Sequence, residues 1–240
     1  KISYADGTSV RYKYDSLHRV TKEIDAKGNI TTYEYDGAWM SSMTNSNGGV
    51  NYYYYNNHGK VVSIVDALNQ TTRFVYDSAD RLIQQQSADG SVTKFEFDAA
   101  GNTTSMTDAN GNVFTFEHDA TGNILKATDP YGNSTTYTYD GMYNLLTETD
   151  PAGKTTTYTY DTFSNVTSIK DADGKITRYE YDKANNVVKI IEPKGNTTIL
   201  EYDLRFNAIS KITNAEKGVE TYEFDIVGNV TKLTATDNTT

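Results

Sequence analysis

The chain has no cysteine, so no disulfide holds it together, and no thiol is present for redox or nucleophilic chemistry. Its 3 prolines are few, which suits continuous β-structure. The 3 histidines, His18, His58 and His118, are scattered and form no catalytic or metal-binding constellation. No stretch approaches the ~18 apolar residues of a membrane-spanning helix, so no membrane insertion is expected. The N-terminus carries no basic region followed by an apolar run, so this segment shows no signal peptide. Positive charge is also in deficit. The net charge of −10 argues against a nucleic-acid backbone as partner.

What fills the chain is a repeat. An aromatic, any residue and a second aromatic precede Asp or Asn, and the pattern returns about every 21 residues. The second aromatic falls at Tyr14, Tyr35, Tyr55, Tyr76, Phe97, Tyr139, Tyr160, Tyr181, Tyr202 and Phe224, with His118 standing in once. The first is aromatic in every copy except at Leu200. The copy before Tyr55 is one residue short and the copy before Phe224 one residue long. Thr155-Thr156-Thr157-Tyr158-Thr159-Tyr160 alternates with period two, the mark of a strand with one apolar and one polar face. An aliphatic-led second strand follows, as in Val166-Thr167-Ser168-Ile169. A simple hairpin would set that aliphatic opposite the second aromatic, a pairing worth about 0.2–1 kcal/mol over Ala–Ala.

Two turns punctuate each copy. The first opens on Asp15, Asp36, Asp77, Asp98, Asp140, Asp161, Asp182, Asp203 or Asp225, whose carboxylate can accept backbone N–H groups of its own turn. Three residues on, a left-handed residue is expected, supplied by Gly101, Gly122 and Gly228 among others. Other copies hold His18, Trp39, Asp80, Tyr143, Ser164 or Phe206 there, so not every turn is expected to share one geometry. The second turn reads Asp108-Ala109-Asn110-Gly111 or Asp129-Pro130-Tyr131-Gly132. Ala5-Asp6-Gly7-Thr8 matches this second turn and Asp237–Thr240 breaks off within a copy, so the chain is expected to be a fragment of a longer protein with both ends inside a repeat.

The fold class is therefore all-β: tandem ~21-residue hairpins making one continuous, curved or spiralling antiparallel sheet over residues 1–240, about eleven copies in a single array. A lone hairpin cannot bury its aromatic face, so each copy must lean on its neighbours. With no covering layer in the sequence, the rings are expected to form the core themselves.

Phe97-Asp98-Ala99-Ala100-Gly101-Asn102 with Asp108-Ala109-Asn110-Gly111-Asn112, and Tyr160-Asp161 with Asp171-Ala172-Asp173-Gly174, resemble the YD repeat of the Rhs family. The resemblance runs through essentially the whole chain. It implies a spiralling hairpin strip that builds a hollow shell. In that family the shell encloses a toxic C-terminal domain in bacterial polymorphic toxins and insecticidal toxin complexes, and related repeats occur in wall-associated proteins and teneurins. No segment resembles the family's autoproteolytic motif or a toxin domain, so the resemblance implies shell wall.

The expectation is a non-enzymatic structural segment of a large secreted or cell-surface bacterial protein, enclosing or presenting a toxin or effector domain. It has no catalytic residue, metal or cofactor, and its partners are neighbouring repeats of the same longer chain and the enclosed domain. The acidic loops are read as turns, because no Glu stands at the spacing a calcium loop requires. The alternative is an adhesive fibre, a homopolymer or carbohydrate binder using aromatics off the ladder. Trp39, Tyr131, Tyr143, Phe163 and Phe206 are the candidate surface contacts, with Tyr52 and Tyr54 also off the ladder.

Overall fold

The computed structural model describes residues 2–3 and 9–236. The turn expected at Ala5-Asp6-Gly7-Thr8 and the break at Asp237–Thr240 lie outside the described residues. The chain divides into two compact units, Lys1–Phe116 and Glu117–Thr240.

In the first unit the strands are β1 (Ile2–Ser3), β2 (Ser9–Tyr14), β3 (Val20–Ile24), β4 (Ile30–Asp36), β5 (Trp39–Thr44), β6 (Val50–Tyr55), β7 (Val61–Val65), β8 (Thr71–Tyr76), β9 (Leu82–Gln86), β10 (Val92–Phe97), β11 (Thr103–Thr107) and β12 (Val113–His118), whose last residues cross the unit boundary. Each pairs antiparallel with the next in sequence. The second unit repeats the plan with β13 (Ile124–Thr128), β14 (Ser134–Tyr139), β15 (Leu145–Thr149), β16 (Thr155–Tyr160), β17 (Val166–Lys170), β18 (Ile176–Tyr181), β19 (Val187–Ile191), β20 (Thr197–Asp203), β21 (Ala208–Thr213), β22 (Val219–Phe224) and β23 (Val230–Thr236). It too is an antiparallel meander in sequence order. No helix occurs among the described residues.

The expected register holds. Tyr160 lies opposite Val166, Tyr181 opposite Val187, Tyr139 opposite Leu145 and Tyr55 opposite Val61. One feature is invisible in the alternation. Thr159 pairs with Ser168 while Tyr160 pairs with Val166, which leaves Thr167 as an extra residue. The same bulge recurs at other second aromatics, for example at Tyr14, Tyr76 and Phe224. A bulge at a fixed place in every hairpin increases the local right-handed twist each time.

The turns are more uniform than the sequence implies. The Asp161 N–H donates to the Asn165 carbonyl and the Ser164 N–H to the Asp161 carbonyl, closing a type I turn with a left-handed residue at its end. The second turn, at Asp171 and Gly174, has the same two bonds. His18, Asp80, Tyr143 and Ser164 occupy the left-handed slot as the glycines do, with φ values of 62°, 60°, 66° and 65°. The ladder register on both sides fixes where the chain must reverse, and this overrides the side chain's reluctance to adopt positive φ. Only two first turns differ. Gly37 and Ala38 alone link Asp36 to its partner Trp39, and the loop after Asp203 is longer, with Asn207 left-handed at φ 50°. Relief of strain gives a direct test: Ser164→Gly should raise stability by roughly 0.5–1 kcal/mol, less what glycine costs through the unfolded chain. Thermal unfolding of that variant beside Ser168→Gly, a strand position expected to lose stability, measures it.

The expectation that the rings make a core needs correcting. No hydrophobic side chain is fully buried among the described residues, and the buried polar one is Ser42, 4% exposed. Tyr158 and Tyr160 are half-buried, while Thr159 between them is exposed. Among the described residues the ladder rings therefore stay partly exposed.

Candidate functional site

The repeating contacts between copies form the most elaborated site in the molecule. Asp161 shows how a copy is closed. Its Oδ1 accepts the Phe163 and Asn165 N–H groups at 2.9 and 3.0 Å, and its Oδ2 accepts from Asn165 Nδ2 at 3.0 Å. Asp98, Asp140, Asp182 and Asp225 bind the asparagine four residues on in the same way. In Asp15 and Asp77 the partner is instead an arginine, Arg19 or Arg81, whose Nε lies 2.7 Å from Oδ2. Where the fifth turn residue is Asn or, at Arg19 and Arg81, Arg, it donates to the outer carboxylate oxygen; after Asn56 the position holds Lys60. The Gly-Asn pairs were legible in sequence, but the asparagine's partner was not.

These bonds hold the carboxyls below their usual range. The Asn123 side chain, then the Thr121 hydroxyl, pull Asp119 furthest down. The Asn165 amide does the same for Asp161 and the Asn102 amide for Asp98. Both oxygens of Asp161 and Asp119 are thereby occupied within their own turns.

A second contact joins one copy to the next. The Tyr160 hydroxyl donates to the Leu145 carbonyl at 2.8 Å, reaching back across the preceding hairpin. Tyr35, Tyr55, Tyr76, Tyr139, Tyr181 and Tyr202 reach Val20, Met40, Val61, Ile124, Val166 and Val187 in the same way. At Val20, Met40, Val61, Leu145, Val166 and Val187 the acceptor immediately precedes the bulge residue, where the strand ladder is interrupted and a donor from outside it can approach. Each ladder tyrosine therefore packs its ring on one face and clasps the neighbouring backbone with its hydroxyl. Phe97 and Phe224 lack the hydroxyl, Tyr14 is largely exposed, and the Nδ1 of His118 is enclosed without a partner.

A third contact runs along the first-turn edge. Arg19 lies over the Tyr35 ring and Arg81 over Phe97, with centroid distances of 4.2 and 4.8 Å. Trp39 stacks on Tyr55 at 5.6 Å and 22°, and Phe206 tilts against Phe224 at 5.9 Å. Gly59 and Gly228 are needed below them, because a Cβ would meet Trp39 at 2.9 Å and Phe206 at 3.1 Å. His58 bonds Asp80, Asn165 bonds Asn185, and Asn186 bonds Asn207 between successive turns. Part of the Trp39 and Phe206 rings is thus taken up by the next copy, whereas Tyr131, Tyr143 and Phe163 stand exposed at turn tips. The polar face carries cross-strand pairs such as Lys189–Glu180 at 2.8 Å and Lys211–Glu201 at 2.7 Å, each contributing about 0.5 kcal/mol or less.

The RHS Repeat family matches residues 1–30, 55–92, 97–134, 144–176 and 160–197, together well over half of the sequence. The chain belongs to the RHS repeat family. Among solved structures, the crystal structure of TcdB2-TccC3-Cdc42 shares this RHS repeat fold over 98% of the chain with a TM-score of 0.78 and 17% identity. TcdB2-TccC3 alone matches over 97% at the same TM-score of 0.78 and 16% identity. A Photorhabdus luminescens Tc holotoxin pore carrying the TccC3 D651A mutation matches over 94% with a TM-score of 0.59 and 16% identity. The chain spans only 15% of the first two of those chains and 17% of the third. At these identities the likeness is one of fold. No curated protein matches the sequence.

Proposed function

We propose that the chain is a wall segment of an RHS-repeat shell, a non-enzymatic part of a larger secreted or cell-surface bacterial protein that encloses a toxin or effector domain. The observation that carries this reading is the hydroxyl clasp. Seven tyrosines each tie one hairpin to the one before it, a device that makes a continuous cohesive strip. The half-buried aromatic face supports the same reading, since a strip without a covering layer gains most by curling round and turning that face inward. First-turn carboxylates such as that of Asp161 are engaged in turn closure, which favours a structural role for them. The similar chains are parts of Tc toxin complexes, which supports toxin enclosure as the role and secretion as the destination. Electron microscopy of the longer protein tests the proposal. A closed hollow body with protease-resistant contents is expected, and an extended rod would overturn it in favour of an adhesive fibre.

A further inference from the structure

Asn-x-Ser/Thr, the acceptor sequence for N-linked sugars, occurs at Asn29, Asn69, Asn102, Asn133, Asn165, Asn196, Asn229 and Asn238. Asn238 lies outside the described residues. Six of the other seven follow from turn chemistry, because each asparagine is the fifth residue of its turn and the Thr two residues on belongs to the next strand. Asn29, Asn102, Asn133, Asn165 and Asn229 donate Nδ2 to the carboxylate that opens the turn, at 2.7 to 3.0 Å. Asn196 donates to Glu192 at 3.2 Å. An amide held against a carboxylate cannot face an incoming sugar donor without opening its turn. Asn69 is out of step with these. It is the fourth residue of its turn, in the left-handed slot at φ 58°, where Gly28, Gly90 and Gly111 sit in other copies. Its backbone N–H donates to the Asp66 carbonyl at 2.9 Å, and Gln70 takes the fifth place. The exposed Asn69 side chain has no hydrogen bond among the described residues. Beside it lies an open hollow of about 440 Å³, lined by Gln70, Thr71, Arg73 and Asp89 among others.

The structure assigns Asn69 as a modification site, the acceptor of an N-linked hexose carried by a nucleoside diphosphate sugar. The Asn69 Nδ2 forms a bond to the anomeric carbon and the C–O bond to the diphosphate breaks. The nucleoside diphosphate leaves with that electron pair, and the amide gives up one proton to the transferring enzyme's base. Six sequons are by-products of turn closure, so only at Asn69 does the folded chain offer the motif with an unengaged amide. The hollow falls in the roughly 300–1,000 Å³ of small-molecule sites, which leaves room for one sugar ring. Arg73 can donate to its hydroxyls and Asp89 can accept from them. The turn joins β7 to β8 at the end of the strands away from the first turns, so the sugar leaves the hydroxyl clasp at Val61 untouched. The assignment stands on this turn's geometry, whichever assembly the repeats form.

The test incubates the folded 240-residue chain with a soluble, sequon-directed N-glycosyltransferase and UDP-glucose, and maps the hexose by mass spectrometry of peptides. Asn69 is expected to be modified at least tenfold faster than any of the six turn-bound asparagines. Synthetic peptides spanning the seven sequons, which hold no turn, should show no such preference. Asn69→Gly suits the left-handed slot, so it should melt as the parent does and lose the hexose. Thr71→Ala should lose it with Asn69 still in place. Asp161→Ala frees the Asn165 amide and should speed modification there at least fivefold. Circular dichroism checks each fold, and if Asp161→Ala fails to fold, the peptide comparison decides. The inference is overturned if Asn69 stays unmodified, if the turn-bound asparagines react as fast, or if the peptides show the same preference as the folded chain.

Discussion

Replacing Tyr160 by alanine should destabilise the chain by about 2 kcal/mol, and replacing it by phenylalanine by about 1 kcal/mol. The first change removes a half-buried ring packed opposite Val166 together with its hydroxyl. The second keeps the ring and deletes only the bond to the Leu145 carbonyl. Phenylalanine already occupies this slot at Phe97 and Phe224, so the fold tolerates it. The converse change, Phe97→Tyr, should therefore stabilise by up to about 1 kcal/mol, since its hydroxyl can reach the equivalent carbonyl. Chemical denaturation of the three variants measures these differences. Equal losses for the alanine and phenylalanine variants would show that the ring contributes nothing, and no loss for phenylalanine would remove the clasp from the account.

Stability should hold on a plateau between about pH 4 and pH 10 and fall away on both sides. On the acid side, Asp98, Asp119, Asp140 and Asp161 have folded carboxyls held below their ordinary value of 3.8, chiefly by the amide of the asparagine four residues on. A depressed folded value means that the contribution is fully present above the unfolded value and is lost as pH falls through the folded one. Unfolding should thus begin below about pH 3.8 and proceed over a broad range, because many turns titrate separately. On the alkaline side, Tyr139, Tyr160 and Tyr181 are raised above their usual 10.0 by burial first, with the neighbouring tyrosines adding to it. Their contribution is complete below pH 10.0 and is lost as pH rises through the folded values, when the hydroxyl can no longer donate. Circular dichroism across the range would show this profile. A sharp loss near pH 6 would contradict it.

The repeat itself was plain in the sequence, because period-two alternation and the Asp and Gly turn residues are local signals that each copy states independently. The pairing of Tyr160 with Val166 was also legible, since the hairpin link fixes it. That not every turn shares one geometry was legible, but not that Ser164 and Tyr143 would keep the common one while the turns after Asp36 and Asp203 depart from it. Propensity belongs to the single residue, whereas the register of two flanking strands belongs to the whole hairpin and prevails. The bulge at Thr167 left no mark, because an extra residue in a strand looks like any other residue. The short copy was visible as a spacing, but nothing in that spacing said that Asp36 would pair with Trp39 in the ladder and that Trp39 would stack on Tyr55.

By itself the sequence determined that the chain is an all-β array of hairpins with one aromatic and one polar face, since alternation and turn chemistry act within a few residues. Only the tertiary structure decided how one copy holds the next. The Tyr160 hydroxyl meets the Leu145 carbonyl fifteen residues back, and the Asn165 amide meets the outer oxygen of Asp161. The first contact depends on where a bulge places a carbonyl across a neighbouring hairpin, and strand pairing in three dimensions, not residue type, sets that distance.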